Sequence, residues 1–530
     1  MFNLININRT TGGMMGRLRG SKRSSARIAV LLAASGFSGY AFSADSVPDP
    51  TTDLSSNEYS FKMGGFVRTW ASMNLQNHPE TGGGQGELSM LRGSVELDAN
   101  AKTGPFQWTV VGRADREVLT PYEKQLQDQV RANSPGGPGS SMLGFYDQTQ
   151  LREYYVDFDV GPRVHFRLGK QEVAWGETDF FHPTDLINGY DFRWRSFIER
   201  DNDELRKPLI MANGNFDIPA LQGSLQVLIR PGIDQLTDIG NTYDLSGGRW
   251  AEQPNKGADF LAPGALTTNY RSRYANENDV SGGVRWTGIL GSANYAISYL
   301  NTYHPDPIVN SAFVPWGQKP KGTLGDFIFP KMNVFGASIS NEIPAIDSVV
   351  AAEVAYQNNV AYNVGSNFLN GALPGFGGVI TKDVVVSSLR IDKQLRLMQL
   401  LGTSEDTLAS LQLFDTWIQN FHDSDDLVYQ AGFGKKAKQH TTLLTGFFTL
   451  NYMNSRLNPG LAAGLDISNG DAFVIPSVEY KVGNHWRFVA EADIFFPRHQ
   501  KYPGQIEQST APLGGFANND QFMIRATYQF

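Results

Sequence analysis

The residues best suited to bind a small molecule are concentrated between residues 174 and 206, where aromatic rings stand among acidic and basic groups. An exposed loop with so many rings is an apolar liability in water, so this segment is expected to fold against other parts of the chain. We predict that it forms a constriction or a binding surface for an apolar solute. The alternative is a rim loop whose rings pack only for rigidity. The predicted solute-binding residues are Trp175, Phe180, Phe181, Tyr190, Phe192 and Trp194, and the predicted anchors of the loop are Arg167, Glu177 and Asp185.

Catalytic motifs are absent from the sequence. The eight histidines are scattered, and none stands in a G-x-S-x-G or an H-E-x-x-H arrangement. The acidic run 423–426 lacks the ligand spacing of a dedicated calcium loop, so it is interpreted as a solvated loop. We therefore predict no catalytic residue, no metal site, no cofactor and no enzymatic activity.

The aromatic segment follows two stretches, residues 151–160 and 164–173, that alternate between apolar and polar side chains. Joined by a Gly161-Pro162 turn, they predict an antiparallel hairpin with one apolar and one charged face. The apolar face can cover a soluble core, or it can meet lipid around a wet lumen. In the first stretch the two sides are Arg152, Tyr154, Val156, Phe158 and Val160 against Glu153, Tyr155, Asp157 and Asp159.

The N-terminus indicates export. Five basic residues between positions 17 and 27 precede an apolar run from Ile28 to Phe42 and two small residues, which is the pattern of a secretory signal peptide. We predict a signal peptide over residues 1–44 and a flexible lead-in over residues 45–57. Removal of the signal peptide takes away six basic residues and no acidic one, which leaves a net charge near −14. That charge argues against nucleic acid as a partner.

From residue 58 to residue 530, alternating stretches recur with connections that are short at one end and long at the other. This asymmetry is typical of outer-membrane barrels, which have brief periplasmic turns and long external loops. The last stretch alternates from Phe522 to the terminal Phe530, as in the assembly signal of Gram-negative barrels. We predict an all-β fold, a transmembrane antiparallel barrel in a Gram-negative outer membrane, with about 18 strands and a range of roughly 14 to 18.

The side of the strands that faces away from lipid collects charges of both signs. One interpretation is a selectivity ladder for a charged solute, since rings of charge select ions in pores. The other, favoured because the signs are mixed, is a mutually neutralising network that holds the wall and an internal plug. These predicted lumen charges are Arg68, Arg92, Glu96, Arg113, Asp115, Glu153, Asp157, Arg390, Asp392, Arg487 and Glu491.

The run from Arg167 to Glu177, R-L-G-K-Q-E-V-A-W-G-E, is followed by His182-Pro183-Thr184-Asp185. This pattern resembles a proteobacterial family catalogued as domain of unknown function thirteen-oh-two, and the likeness covers most of the chain after the signal peptide. The resemblance implies an outer-membrane barrel, associated with export systems and with the catabolism of hydrophobic compounds such as steroids and aromatics. It assigns no catalytic residue.

Together these features predict an outer-membrane channel for passive or facilitated passage of a small hydrophobic or aromatic molecule, constricted by the 174–206 segment. Its partners are then outer-membrane lipid and the solute. The alternative is a non-conducting structural or docking barrel that receives periplasmic or export-system proteins. Planar-bilayer conductance separates the two, because a docking barrel gives no stepwise current.

Overall fold

The computed structural model describes residues 59–176, 181, 183–199, 202–252, 255–272, 275–276, 278–366, 374–429, 436–497 and 512–530. The predicted signal peptide and lead-in lie outside these residues. Within them, 18 antiparallel strands form one closed barrel, as predicted. The strands are β1 Tyr59–Asn74, β2 Leu88–Thr103, β3 Phe106–Glu117, β4 Gln148–Asp159, β5 Val164–Gln171, β6 Leu209–Ile218, β7 Gly223–Arg230, β8 Ser281–Leu290, β9 Ala293–Tyr303, β10 Lys331–Ile343, β11 Ser348–Val364, β12 Val379–Leu395, β13 Thr407–Ile418, β14 His440–Thr449, β15 Leu457–Asp466, β16 Ala472–Val482, β17 Trp486–Phe496 and β18 Gln521–Gln529.

The barrel closes between its first and last strands. β1 pairs with β2 on one side and with β18 on the other, with Phe66 opposite Gln529 and Asn74 opposite Gln521. Beyond this register, Gly65 and the terminal Phe530 exchange two backbone hydrogen bonds of 3.0 and 3.1 Å. Closure leaves the barrel without a free strand edge. A sheet can span a membrane only under this condition, because backbone N–H and C=O groups at a free edge would have no hydrogen-bond partner in lipid.

The connections show the predicted asymmetry. At the end where the chain termini meet, they span residues 104–105, 160–163, 219–222, 291–292, 344–347, 396–406, 450–456 and 483–485. At the other end they span 75–87, 118–147, 172–208, 231–280, 304–330, 365–378, 419–439, 467–471 and 497–520, so only the connection between β15 and β16 is short there. These two ends are called the short-turn end and the long-loop end.

Some connections carry structure of their own. Helix α1 spans Pro121–Asn133 and begins at a capping box in which Thr120 and Glu123 exchange hydrogen bonds. The other helices are α2 Met142–Tyr146, α3 Asn202–Leu205 and α4 Met398–Leu401. A small three-stranded sheet is formed by Leu266–Thr268, Ile308–Ser311 and Gly325–Ile328. Two shorter pairings join Leu427–Val428 to β11 and Arg271–Ser272 to Ala275–Asn276. None of the helices in the described part of the chain is long and apolar enough to cross a membrane.

The two faces of the wall differ as predicted. Outward side chains are apolar and open, such as Leu97 at 47% and Ile297 at 59% exposure. Inward side chains on the same strands are polar and buried, as Arg68 and Arg92 are. The outer apolar face of these strands stays exposed among the described residues, as expected of a barrel wall that faces lipid.

Arg152 is on the inner face, and the prediction that it shares a face with Tyr154 is wrong. In the pairing of β3 with β4, Val111 stands opposite Glu153 and Gly112 opposite Leu151, so Arg152 is the extra residue of a β-bulge. One extra residue reverses the alternation on one side of the bulge. Arg152 is consequently buried inside the barrel.

Barrel closure depends on a glycine at position 65. Its φ is +151°, and a Cβ there would lie 2.1 Å from the Glu96 carbonyl oxygen. We predict that Gly65→Ala lowers the free energy of unfolding by about 2 to 3 kcal/mol, because both the backbone and β2 must shift. Urea titration, read by the gel mobility of folded and unfolded barrel, measures this.

Gly93 provides the control, since a Cβ there meets no atom within 4 Å. Gly93→Ala should leave the urea midpoint nearly unchanged. Equal midpoints for the two variants would contradict the structure at Gly65.

Candidate functional site

Residues 172–208 connect β5 to β6, and we call them the lumen loop. Its described residues, 172–176, 181, 183–199 and 202–208, turn away from the wall and cross the lumen. Its described side chains contact strands around the whole barrel. The contacts are Trp175 with Gln226 of β7, Thr184 with Glu353 of β11, Phe181 with Phe414 of β13, Arg195 with Asp493 of β17, and Glu204 with Arg68 of β1 and Arg113 of β3. The loop therefore spans the lumen from one side to the other.

Both predicted tryptophans are buried between the lumen loop and the wall. The Trp175 indole donates a 2.8 Å hydrogen bond to Gln226 and is only 2% exposed. Trp194, also 2% exposed, packs edge-on against Trp70 of β1 at 5.2 Å between ring centroids, and the Arg92 guanidinium lies 4.8 Å from its ring. In this conformation both rings fix the loop to the wall, and a role in solute binding stays a prediction.

The other predicted rings are less enclosed. Tyr190 stacks on Phe192 with 5.7 Å between centroids, and Phe192 in turn packs against Tyr243 of the 231–280 connection. Phe181 is 36% exposed and lies 5.5 Å from the Phe414 ring, so it presents an aromatic surface to open space inside the barrel. Phe180 and Glu177 lie outside the described residues.

The two described anchors behave differently. Asp185 holds the lumen loop together: it accepts hydrogen bonds from the Trp175 backbone N–H at 3.2 Å and the Tyr190 hydroxyl at 3.4 Å, and it pairs with Arg206 at 2.9 Å. Arg167 instead pairs with Asp157 within the wall, at 2.7 Å. Among the described residues its ion pair is therefore with the wall and not with the loop, and its anchoring role stays a prediction.

One buried cluster joins the lumen loop to β1 and β3: Arg68, Arg113 and Glu204, here called the Glu204 cluster. Arg68 pairs with one carboxylate oxygen of Glu204, and Arg113 Nη2 lies 2.6 Å from the other. Burial alone would raise the pKa of Glu204, but Arg113 and Arg68 outweigh it and hold this pKa well below the usual range. Glu204 is thus a carboxylate that two arginines share.

A second cluster joins the loop to β17: Arg195, Glu199, Glu491 and Asp493, here called the Arg195 cluster. Arg195 lies 2.8 Å from Glu199 and 3.3 Å from Asp493, and it also pairs with Glu491. All four side chains are almost completely buried. Arg195 therefore supplies the loop cation for these buried carboxylates, and Glu199 also pairs with Arg525 of β18 at 3.5 Å.

Most of the remaining predicted lumen charges form ion pairs with other residues of the wall. Among them, only Glu153 has no ion pair in the described chain; its carboxylate accepts the Glu172 backbone N–H at 3.2 Å. This arrangement matches the neutralising network and not a ladder of like charge. The pairs are Arg92 with Asp115 and Glu117, Glu96 with Arg113, Asp157 with Arg167, Arg390 with Asp392, and Arg487 with Glu479.

Four residues of the site were not singled out from the sequence: Arg152, Glu172, Glu204 and Arg206. Glu172 lies 2.6 Å from Arg152 and 3.9 Å from Arg206, and burial raises its pKa to about 8 although Arg152 lowers it. The sequence did contain a signal for Arg152. The alternation places this charged residue on an otherwise apolar face of the strand, and such an exception is what a β-bulge produces. For Glu204 and Arg206 the sequence held no comparable signal.

A cavity of about 400 Å³ lies beside the lumen loop. Its lining joins the inner wall at Arg92 and Arg113, the lumen loop at Trp194 and Glu204, and the start of β4 at Gln148. Charged and polar groups dominate this lining.

The closed antiparallel barrel, its apolar outer face and the loop folded into its polar interior define an outer-membrane β-barrel. The chain belongs to the family DUF1302, described as "Protein of unknown function (DUF1302)", whose model matches residues 84–530. The predicted family is thereby confirmed. None of the curated proteins matches the chain.

Several solved structures are similar to the chain at low identity. OccAB1 of Acinetobacter baumannii is 9% identical, with 89% of this chain and 96% of that chain covered and a TM-score of 0.44. OccK11 (OpdR) of Pseudomonas aeruginosa is 8% identical, with 89% and 96% covered and a TM-score of 0.43. OpdK of the same organism, solved with vanillate, is 8% identical, with 89% and 98% covered and a TM-score of 0.42.

The Arg195 cluster predicts a large stability effect. Arg195→Ala leaves Glu491 and Asp493 buried without their main cation, so we expect a loss of about 3 to 5 kcal/mol in the free energy of unfolding. Urea titration of the folded barrel measures the loss. Arg487→Ala is the matched control: Arg487 is about half exposed and lies 3.9 Å from Glu479, so its loss should stay below about 1 kcal/mol. Similar losses in both variants would contradict the assignment.

Proposed function

We propose that the protein is an outer-membrane channel for a small hydrophobic or aromatic molecule, and that the lumen loop opens and closes it. A barrel of this strand number is wide enough to leave an aqueous channel when nothing fills it. In the described part of the chain, the lumen loop is held to the wall by the Glu204 and Arg195 clusters and by apolar packing that includes Trp175 and Trp194. We propose passage without chemical conversion, in the outer membrane of a Gram-negative bacterium.

The observation that carries this proposal is the Glu204 cluster. Ion pairs of this kind have an alternative arrangement, because Arg68 and Arg113 can be hydrated or can pair with Glu96 and Asp115 when Glu204 leaves. Arg113 Nη1 already lies 3.7 Å from Glu96, and its Nε lies 3.2 Å from Asp115. Movement of the loop therefore leaves Arg113 with wall carboxylates, while Arg68 keeps its hydrogen bond to the Thr527 hydroxyl at 3.0 Å.

The aromatic surface supports the choice of solute. Phe181 is partly exposed inside the barrel, and Phe197 and Phe414 lie 6.5 and 5.5 Å from its ring. Offset and edge-on contacts between aromatic rings stabilise a bound ring by roughly 0.5 to 1.5 kcal/mol each beyond area burial. An aromatic solute that reached Phe181 would find such partners.

Glu204→Gln tests the gate. The substitution removes the charge that two arginines share, so we expect the open probability in planar bilayers to rise at least about tenfold, which corresponds to about 1.4 kcal/mol. Single-channel recording of the full-length protein measures it. Glu479→Gln is the control, since Glu479 is also an inward carboxylate but pairs with Lys481 and Arg487 of the wall. An unchanged open probability in Glu204→Gln would contradict the gate.

Docking is the second candidate function, and one observation favours it. At the short-turn end, connection 396–406 carries α4 and interlocks with connection 450–456: Ser404 donates its backbone N–H to Asn451, and the Tyr452 hydroxyl bonds to Leu401. The surface formed by these two connections exposes apolar side chains, with Leu400 at 78% exposure. A periplasmic partner could bind there. Stepwise currents from the isolated protein would count against a purely docking barrel, and silence from both the wild type and Glu204→Gln would favour it.

A further inference from the structure

The barrel wall is incomplete on one side at the long-loop end. β4 pairs with β5 only from Tyr154 opposite Lys170 to Asp159 opposite His165. Residues 148–151 and 153 of β4 pair with β3, but in the described part of the chain no strand pairs with their other side, because the chain turns into the lumen after Gln171. β6 does not fill this place, since it begins at Leu209, opposite Gln171. A side opening therefore separates the start of β4 from the rest of the wall.

Side chains cross this opening where strands do not. The bulged Arg152 donates to the carbonyl oxygens of Asp203 and Arg206, the latter at 2.9 Å, and it pairs with Glu172. Gln148 donates a 2.9 Å hydrogen bond to Asp191. The edge of β4 is thus tied to the lumen loop by polar side chains, which can exchange partners more easily than a β-ladder.

The cavity of about 400 Å³ occupies this opening. It reaches inward to Arg92 and Arg113 of the wall and outward to Thr149 and Leu151, whose side chains belong to the outer face. Leu151 is 50% exposed. The same cavity therefore borders residues of both the inner and the outer face of the wall, together with residues of the 231–280 connection, and its size suits a small molecule.

The mouth of the cavity lies where the apolar outer face ends. On β3 the exposed apolar side chains Trp108 and Val110 give way to Arg116, which donates to the Gln148 carbonyl at 2.6 Å and to the Thr149 hydroxyl at 2.8 Å. An exposed arginine on the outer face marks the start of the polar interface. Leu151 lies one step toward the apolar side of that boundary.

Charged side chains line the interior of the cavity. Seven are basic and five are acidic, and six of the seven basic ones pair with carboxylates of the described chain. Lys207 contributes a cation with neutral partners: its ammonium donates to the Thr237 carbonyl at 2.9 Å and the Thr242 hydroxyl at 2.8 Å, and no carboxylate of the described chain forms an ion pair with it. Burial lowers the pKa of Lys207 to about 8, so it remains mostly charged at neutral pH.

We propose that this side opening is a lateral portal that takes an amphipathic anion, a molecule with an apolar body and an acidic head, between the outer leaflet and the lumen. The apolar body stays against Leu151 and lipid while the acidic head meets Lys207 and the arginines within. This inference rests on the proposed channel function and specifies its solute class. It adds a route that does not run along the barrel axis.

Blocking the mouth tests the portal. The sequence has no cysteine, so Leu151→Cys can be labelled selectively with a bulky maleimide in proteoliposomes of the full-length protein. The probe is dansyl-undecanesulfonate, whose permanent charge keeps it from crossing a bare bilayer. We expect labelling at 151 to lower influx of the sulfonate at least fivefold.

Lys207→Gln tests the charge inside the cavity. It should lower influx of the sulfonate without affecting influx of the matching trimethylammonium cation, which separates a charge effect from misfolding.

Ile339→Cys, on the outer face of β10 and 46% exposed, is the labelling control and should leave influx unchanged. Unchanged sulfonate influx after labelling at 151, with ionic currents still present, would overturn the portal and leave the channel standing. Absence of both influx and current in every variant, Glu204→Gln included, would overturn the channel as well.

Discussion

Charges buried inside the barrel must be paired, and the rest of the structure depends on this constraint. The wall strands place Arg68, Arg113, Glu491 and Asp493 inside the barrel, where an unpaired ion would cost several kcal/mol. The lumen loop supplies the missing partners through Glu204 and Arg195. Wall and loop are therefore each incomplete without the other, which explains why a long connection folds inward instead of extending into water.

The proposed gate depends on the same pairing, because carboxylates and guanidinium groups become hydrated when they separate. Apolar packing opposes opening, since residues of the lumen loop also lie in hydrophobic clusters with the wall. The tryptophans limit opening in the same way, since Trp175 and Trp194 are packed on opposite sides of the loop. Phe181, whose ring is partly exposed, contacts Phe197 and Phe414. The proposed gate and the proposed portal both depend on one feature, the end of β5 at Gln171.

Much of the fold could be predicted from the sequence, because alternation along a strand reports directly which face meets lipid. The predicted stretches 151–160 and 164–173 lie at Gln148–Asp159 and Val164–Gln171, and the last stretch lies at Gln521–Gln529. The inward position of Arg92 or Arg113 follows from the same pattern. Arg152 shows its limit: a single bulged residue inverts the pattern, and only the pairing with β3 reveals it.

The candidate site could be predicted from the sequence less completely than the fold. The concentration of rings and charges predicted that residues 174–206 fold inward, but partners such as Gln226, Glu353 and Asp493 lie far away in sequence and are set by the circumference of the barrel. Periodicity carries no information on which strand faces a given loop residue. The gap beside β4 was equally hidden, since it arises from where β5 ends relative to β4 and not from the composition of either strand.

A reversible cross-link between the lumen loop and the wall tests the central claim most directly. A Cβ at Gly336 of β10 would lie 3.5 Å from the Thr184 Cβ, within the range of a disulfide, and the Ser298 hydroxyl that crowds it can be removed by Ser298→Ala. We would record single-channel currents of Thr184→Cys/Gly336→Cys in the Ser298→Ala background. The account predicts that oxidation abolishes the current steps and that a reductant restores them. Equal currents in the oxidised and reduced protein would contradict a gate formed by the lumen loop.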